Sequence, residues 1–373
     1  MSTLNSDKDN PVVEQALRDA ELHKALLDHL EAGIYMVDRN RRILYWNRGA
    51  EQISGYLAQD VAGHFCQGDL LMHCDGAGRG MCGKGCPLLT TMVDGSPREH
   101  TLFLRHRHGH RIPVRVRARA IYDSSGAIIG AVEVFEQLTA PAAIDRRPLN
   151  EHGCLDPLAE VANRDYGEFK LGQAVDVMRA FGIPFGWLAV ELNDVEKLER
   201  GFGHGLVDAA VKMMARTLDS NLGPLDSVTR WGRTEFRIEV HSCWGQGLGD
   251  LTAKLLVLAR ASNLEWWGDP VRVTVSIGGV MAEPGDSSVS LEDRVAGVLA
   301  KSRSARSSQG TDGPSNNDFL KLAGRVFSNF SLESNSRVTF HGHQMSNHAP
   351  GTPCSASVGL DFSGRRRPSQ TTY

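Results

Sequence analysis

The chain has 373 residues, enough for two ordinary domains with a core each, and its 41% hydrophobic and 23% charged residues strike the balance of a globular protein. A formal net charge of −3 argues against a broad nucleic-acid-binding face, despite local clusters such as Arg105 to Arg117, and no apolar run reaches the roughly 18 residues a membrane span needs. The opening MSTLNSDKDN lacks the basic and apolar regions of a secretory signal, so the expected location is the cytoplasm, with reduced thiols and with neither membrane nor nucleic acid among the partners.

Residues 11–30 read as a helix: Asn10 can cap it, Pro11 suits its first turn, and Val13, Leu17, Leu22, Leu26 and Leu30 lie near one face. That stripe packs either on the following domain or in a dimer contact. From Gly33 to Glu136 the pattern changes to short strands. IYMVD and RILYWN form one candidate hairpin, and residues 101–137 supply three further strands broken at His108-Gly109 and Ser124-Ser125-Gly126, which predicts a five-stranded antiparallel sheet with flanking helices. His106, His108 and His110 alternate there among Arg105, Arg107 and Arg111, and read as a solvated hairpin tip rather than as ligands. Residues 140–152, rich in Ala, Pro and charge, read as a linker. Helices near 168–181, 206–219, 249–262 and 291–303 then alternate with strands near 186–192, 227–231, 235–241 and 271–280, an α/β pattern. Residues 306–373 are polar and low in complexity, and are expected to be disordered.

The segment GIYMVDRNRRILYWNRGAEQISGY resembles the opening of a PAS domain, with Gly33, Asp38, Asn47, Ala50, Gly55 and Tyr56 at the family's positions, and GAIIGAVEVFEQ resembles its closing strands. The resemblance implies a PAS sensor over 32–139, behind an N-terminal helix over 1–31. It says little about the ligand, because the fold hosts many. Within it lies the insertion HFCQGDLLMHCDGAGRGMCGKGCPL, which sets Cys66, His73, Cys74, Cys82 and Cys86 inside 21 residues. Disulfides do not persist in a reducing compartment, and thiolates with an imidazole suit zinc or an iron–sulfur cluster, the glycines letting the chain wrap around an ion. Cys66, Cys82 and Cys86, with His73 or Cys74 as the fourth ligand, are the expected set. A thiol redox switch and plain buried cysteines are the alternatives.

The stretch LDPLAEVANRD resembles the start of a GGDEF domain at Asp156, Leu158, Asn163 and Arg164; Gly203, His204 and Asp208 match its middle, and RWGRTEF stands at its signature hairpin. With VTVSIGG at 273–279 and Ala300-Lys301, the resemblance covers 153–305 and implies a nucleotidyl-cyclase-like palm. That family joins two GTP into cyclic di-GMP, with carboxylates holding divalent ions and paired glycines giving the phosphates close backbone approach. Here the signature reads Gly232-Arg233-Thr234-Glu235-Phe236, so a bulky cation replaces the second glycine and a neutral hydroxyl replaces a metal-binding acid. Glu191 stands for the first metal acid, Glu196 for a lysine, and Glu199 and Arg200 for an Asn and an Asp that contact nucleotide. Asp208 keeps the guanine-facing position, Lys301 is the remaining nucleotide contact, and the inhibitory Arg-x-x-Asp site is reduced to Gly223 and Asp226.

The expectation is a cytoplasmic sensor and regulator in cyclic di-GMP-type signalling, acting by protein contact or nucleotide binding, with a catalytically degenerate output domain. A weakly active diguanylate cyclase is the alternative, and magnesium and GTP enter only if cyclase-like binding survives. A homodimer and a signalling protein partner are the expected associations.

Overall fold

The computed structural model describes residues 11–68, 70–83, 85–138, 146–241 and 247–307. The expected disordered tail lies outside these residues from 308 onward, as do Asn10 and the first part of the expected linker.

The N-terminal half opens with α1 (Pro11–Asp28), β1 (Gly33–Asp38), β2 (Ile43–Trp46), α2 (Arg48–Ser54) and α3 (Ala58–Val61). After the insertion come α4 (Pro87–Asp94), β3 (Arg98–Arg105), β4 (Arg111–Tyr122) and β5 (Ile128–Gln137). The five strands form one antiparallel sheet in the order β2-β1-β5-β4-β3, as expected. Alternation decides its faces: Val114, Val116 and Ala118 on β4 point inward, while Arg115, Arg117 and Arg119 point outward. Asn47 caps α2 by accepting from the Ala50 N–H at 2.8 Å, and its amide donates to the Leu27 and Ala32 carbonyls, anchoring the exit of α1. Of the expected leucine stripe, Leu22, Leu26 and Leu30 are exposed, while the Asp28 carboxylate accepts from the Tyr45 hydroxyl and the Leu27 carbonyl from Asn47.

The expected linker includes a short helix, α5 (Arg146–Glu151), where charge and proline alone suggested irregular chain. Next come α6 (Arg164–Phe181), β6 (Gly186–Leu192), α7 (Val195–Phe202), α8 (His204–Asp219), β7 (Ser227–Arg230) and β8 (Glu235–Val240). The domain closes with α9 (Gly247–Ala261), β9 (Asn263–Trp266), β10 (Asp269–Arg272), β11 (Val275–Met281) and α10 (Ser288–Ser307). Its main sheet has the order β11-β6-β8-β7, and α8 and α9 bury their apolar faces on one side of it while α6 and α10 cover the other. The strand expected over 271–280 is two strands in two sheets: β10 pairs with β9, whereas β11 pairs with β6.

The two halves meet at the β3–β4 turn. His106, His108 and His110 form that turn rather than a strand, and the expectation of a solvated tip holds at Arg107 and His108, which are exposed, but fails at Arg105, His110 and Arg111, which are buried. His110 is buried and stacks on His106 with ring centroids 4.2 Å apart, while Arg216 of α8 donates to His108 Nδ1 at 3.1 Å. Gly109 has a positive φ of 87°, and a Cβ there would run into the Asn263 carbonyl, so glycine is required for both reasons. Beside it the buried Arg111 donates to the Ala261 carbonyl at the end of α9 (2.6 Å) and to the Met72 carbonyl in the insertion (2.5 Å). Asn221 in turn donates to the Arg111 carbonyl at 3.1 Å, and Cys74, Phe103 and Leu258 pack together across the junction.

Candidate functional site

In the C-terminal half the candidate residues gather where β6 ends, at the β7–β8 hairpin. A cleft of about 300 Å³ is lined by Glu191, Asn193, Asp194, Arg233, Thr234 and Arg303, among others. Glu191 on β6 and Glu235 on β8 are direct cross-strand partners, an unfavourable pairing of like charges unless each finds a cation. Each does. Arg303 of α10 donates to Glu191 at 2.8 Å, and Arg237 lies 3.7 Å from Glu235. On the opposite lip Arg233 forms a two-pronged ion pair with Glu199, which also contacts His204. Arg233 holds the Glu199 carboxyl below its ordinary range, and Glu199 raises Arg233, to which Asp208 and Glu196 add.

The other matched positions build the hairpin. Arg230 clamps Asp156 through contacts of 2.9 and 3.0 Å and donates to the Arg233 carbonyl at 2.9 Å, so these two retained residues tie the start of the domain to its signature loop. Gly232 and Trp231 donate to the Glu235 carbonyl, and Thr234 accepts from the Leu192 N–H through its own carbonyl. Asp208 and Lys301 are exposed. Asn193 is buried against Ser276, and Asp226 closes its own turn through the Gly223 and His241 N–H groups. Sequence reasoning missed Arg303. Its place two residues after Lys301 on α10 was visible, but its reach across the sheet to Glu191 was not.

In the N-terminal half the insertion lies along β3, with Cys74 and Phe103 exchanging backbone bonds of 3.0 and 2.8 Å and Arg105 donating to the Leu71 carbonyl. This separates the five predicted ligands into two groups. Cys74 turns to Phe103 and Leu258 at the junction between the halves, away from the others. Cys66 and Cys86 belong to the buried core beside Tyr35, with Cys86 at the N-terminus of α4 and the half-buried Cys82 over the His73 N–H. Burial pushes all three thiols up, Cys66 to about 12, and the Arg41 guanidinium opposes the shift at each.

Among these thiols stands a residue that sequence reasoning passed over. Glu133 is 1% exposed, accepts one hydrogen bond from the Tyr35 hydroxyl at 2.9 Å, and is pushed by burial to about 7. Its signal was parity: Ala131, Glu133 and Phe135 share the inward face of β5, so the charge had to enter the core. His73 Nε2 is buried without a hydrogen-bond partner and lies 3.9 Å from Glu133 Oε1. Burial and Arg111 lower that imidazole to about 4, so the pair is not an ion pair near neutral pH. Among the described residues, no group of three or more His, Cys, Asp or Glu side chains is gathered around one point as a bound ion requires. No helix among them is long and apolar enough to cross a membrane.

Residues 27–143 match the PAS-fold family, and residues 154–307 match the diguanylate cyclase, GGDEF-domain family. The chain is 21% identical over 276 residues to the probable diguanylate cyclase DgcE of Escherichia coli, covering 71% of this chain and 24% of that protein. It is also 21% identical over 279 residues to the cyclic di-GMP phosphodiesterase PdeB of Shewanella oneidensis, covering 72% of this chain and 30% of that protein. It thus spans under a third of either relative. Among solved structures, the GGDEF domain of DgcB from Caulobacter crescentus in complex with c-di-GMP aligns at a TM-score of 0.40 and 19% identity, covering 41% of this chain and 89% of that one.

Proposed function

Because this chain is a PAS-fold domain followed by a GGDEF domain of the diguanylate cyclase family, we propose that it is a regulator in cyclic di-GMP signalling whose GGDEF domain does not turn over GTP. The observation that carries this reading is the capture of Glu191, which stands for the family's first metal acid, by the chain's own Arg303, while Arg233, in place of the second glycine, pairs with Glu199. A divalent ion needs free carboxylate oxygens, and here a tethered cation has taken the place of the mobile one. Thr234 supplies no replacement charge. Losing one such carboxylate interaction commonly costs about 3 kcal/mol of transition-state stabilisation, and the poorly matched Glu196, Glu199 and Arg200 add to it.

Output then runs through protein contact. Two exposed apolar features support that: Leu22 and Leu26 of α1 with Leu30 just after it, assigned to a homodimer, and Phe169, Val177 and Phe181 on α6, assigned to a signalling partner. Deleting residues 1–31 is expected to lower the dimer mass seen by light scattering; an unchanged mass removes that assignment. The decisive experiment is incubation of purified protein with GTP and magnesium or manganese. No cyclic di-GMP is expected, and steady product formation overturns the reading.

A further inference from the structure

We propose that the N-terminal domain binds one thiophilic divalent cation of the zinc class between the insertion and β5, through His73, Glu133, Cys66 and Cys86. The first reason is the separation of His73 Nε2 and Glu133 Oε1. At 3.9 Å they are too far apart for a hydrogen bond, yet two bonds of about 2.0–2.2 Å to a shared ion would span that gap at an open angle. The second is that both groups are buried and short of partners. His73 Nε2 has none, and the Glu133 carboxylate has one neutral donor, Tyr35. Leaving such groups unpaired in a core is costly, and a cation between them removes that cost for both at once.

The third reason is the surroundings. Cys66 and Cys86 pack in the same core as Tyr35, whose hydroxyl sits on Glu133, so two soft donors border the pair of hard ones. A divalent ion with two thiolates and one carboxylate carries a net charge of −1. Arg41, anchored on the Cys82 carbonyl at 3.1 Å and accepting from the Cys66 N–H through its own carbonyl, stands beside the site to offset that charge. The thiols have to swing inward to complete the shell. Gly83 and Gly85 precede Cys86, and nothing stands within 4 Å of where a Cβ would project at Gly83. Cys74 is excluded because it belongs to the junction with α9, and Cys82 because its sulfur already sits over the His73 N–H.

The test is metal analysis of full-length protein purified anaerobically, followed by removal with a chelator and titration with Co(II). One equivalent of zinc, and a cobalt complex with thiolate charge-transfer absorption, are expected. His73→Gln and Glu133→Gln should each weaken Co(II) binding by about 10- to 100-fold, whereas Cys74→Ser and Cys82→Ser should leave it within about threefold. Wild-type protein that takes up neither metal while every thiol is freely titratable overturns the proposal. So does iron with acid-labile sulfide in place of zinc, or binding that depends on Cys74 and Cys82 but not on Glu133. Because the wild-type chain carries the first measurement, a variant that fails to fold leaves the outcome decided.

Discussion

The two halves handle their charged groups in opposite ways. In the GGDEF domain Glu191, Glu199 and Glu235, in and around the cleft, lie near the surface, each beside an arginine of the same chain. In the PAS domain a carboxyl, an imidazole and three thiols are wholly or partly buried with few partners. Under the proposed function the first pattern goes with lost turnover, and under the proposed zinc site the second goes with a bound ion. The same composition of acids and bases carries opposite meanings according to whether the partner is already present.

That contrast can be broken first at the junction, where a buried cation is fully hydrogen-bonded. Arg111→Ala strands the Met72 and Ala261 carbonyls and opens the contact between the halves, and a loss of about 3 kcal/mol in unfolding free energy by urea titration is expected. A change below about 1 kcal/mol would mean that the docking is superficial.

A smaller effect is expected with pH. Burial lowers His110 to about 2 and His106 to about 4, with Arg216, Arg107 and the neighbouring histidines adding to the shift and Lys212 acting on His108. Below the ordinary imidazole value of about 6.5 the unfolded chain takes up protons that the folded one refuses, so stability falls as pH drops from about 6.5 toward 4. The slope is up to ~1.4 kcal/mol per pH unit for each imidazole. In a His106→Gln, His110→Gln double variant the thermal midpoint should lose most of that decline between pH 6.5 and 5. An identical decline in the variant points to other groups.

The smallest expected effect is at the surface ion pairs. Arg233→Gly with Thr234→Asp restores the signature loop, yet Arg303 still holds Glu191 and the positions at Glu196, Glu199 and Arg200 still oppose the nucleotide. Neither cyclic di-GMP formation nor a shift in melting temperature beyond a degree or two is expected. Measurable product at ordinary GTP concentrations would show that the cleft is nearer to a working one than its ion pairs suggest.

Much of this was legible where the deciding interactions are local. Asn47, Asp156, Asn163 and Arg230 stood out because each sits inside a recognisable stretch, and the two asparagines prove to be helix caps bonding an N–H three residues on, Asn163 starting α6 four residues before the expected 168. The errors share a cause: the partner is remote in sequence. Residues 271–280 read as one strand because nothing local tells that Val271 faces Leu264 while Ile277 faces Val190. The histidine turn read as solvated because α8 and α9, which cover it, lie about a hundred residues or more downstream. Glu133 was within reach, since its parity with Ala131 and Phe135 already placed a carboxylate in the core.

Arg111 also bears on how the chain can be taken apart. It satisfies carbonyls on both sides of the junction, and the described residues of the two domains cluster as one compact unit. Cutting between the families leaves Arg111 with the Met72 carbonyl but without that of Ala261, and leaves the end of α9 without its donor. Heating should melt both domains in a single transition, with calorimetric and van't Hoff enthalpies in agreement, and protease trimming should destroy them together rather than release either one whole.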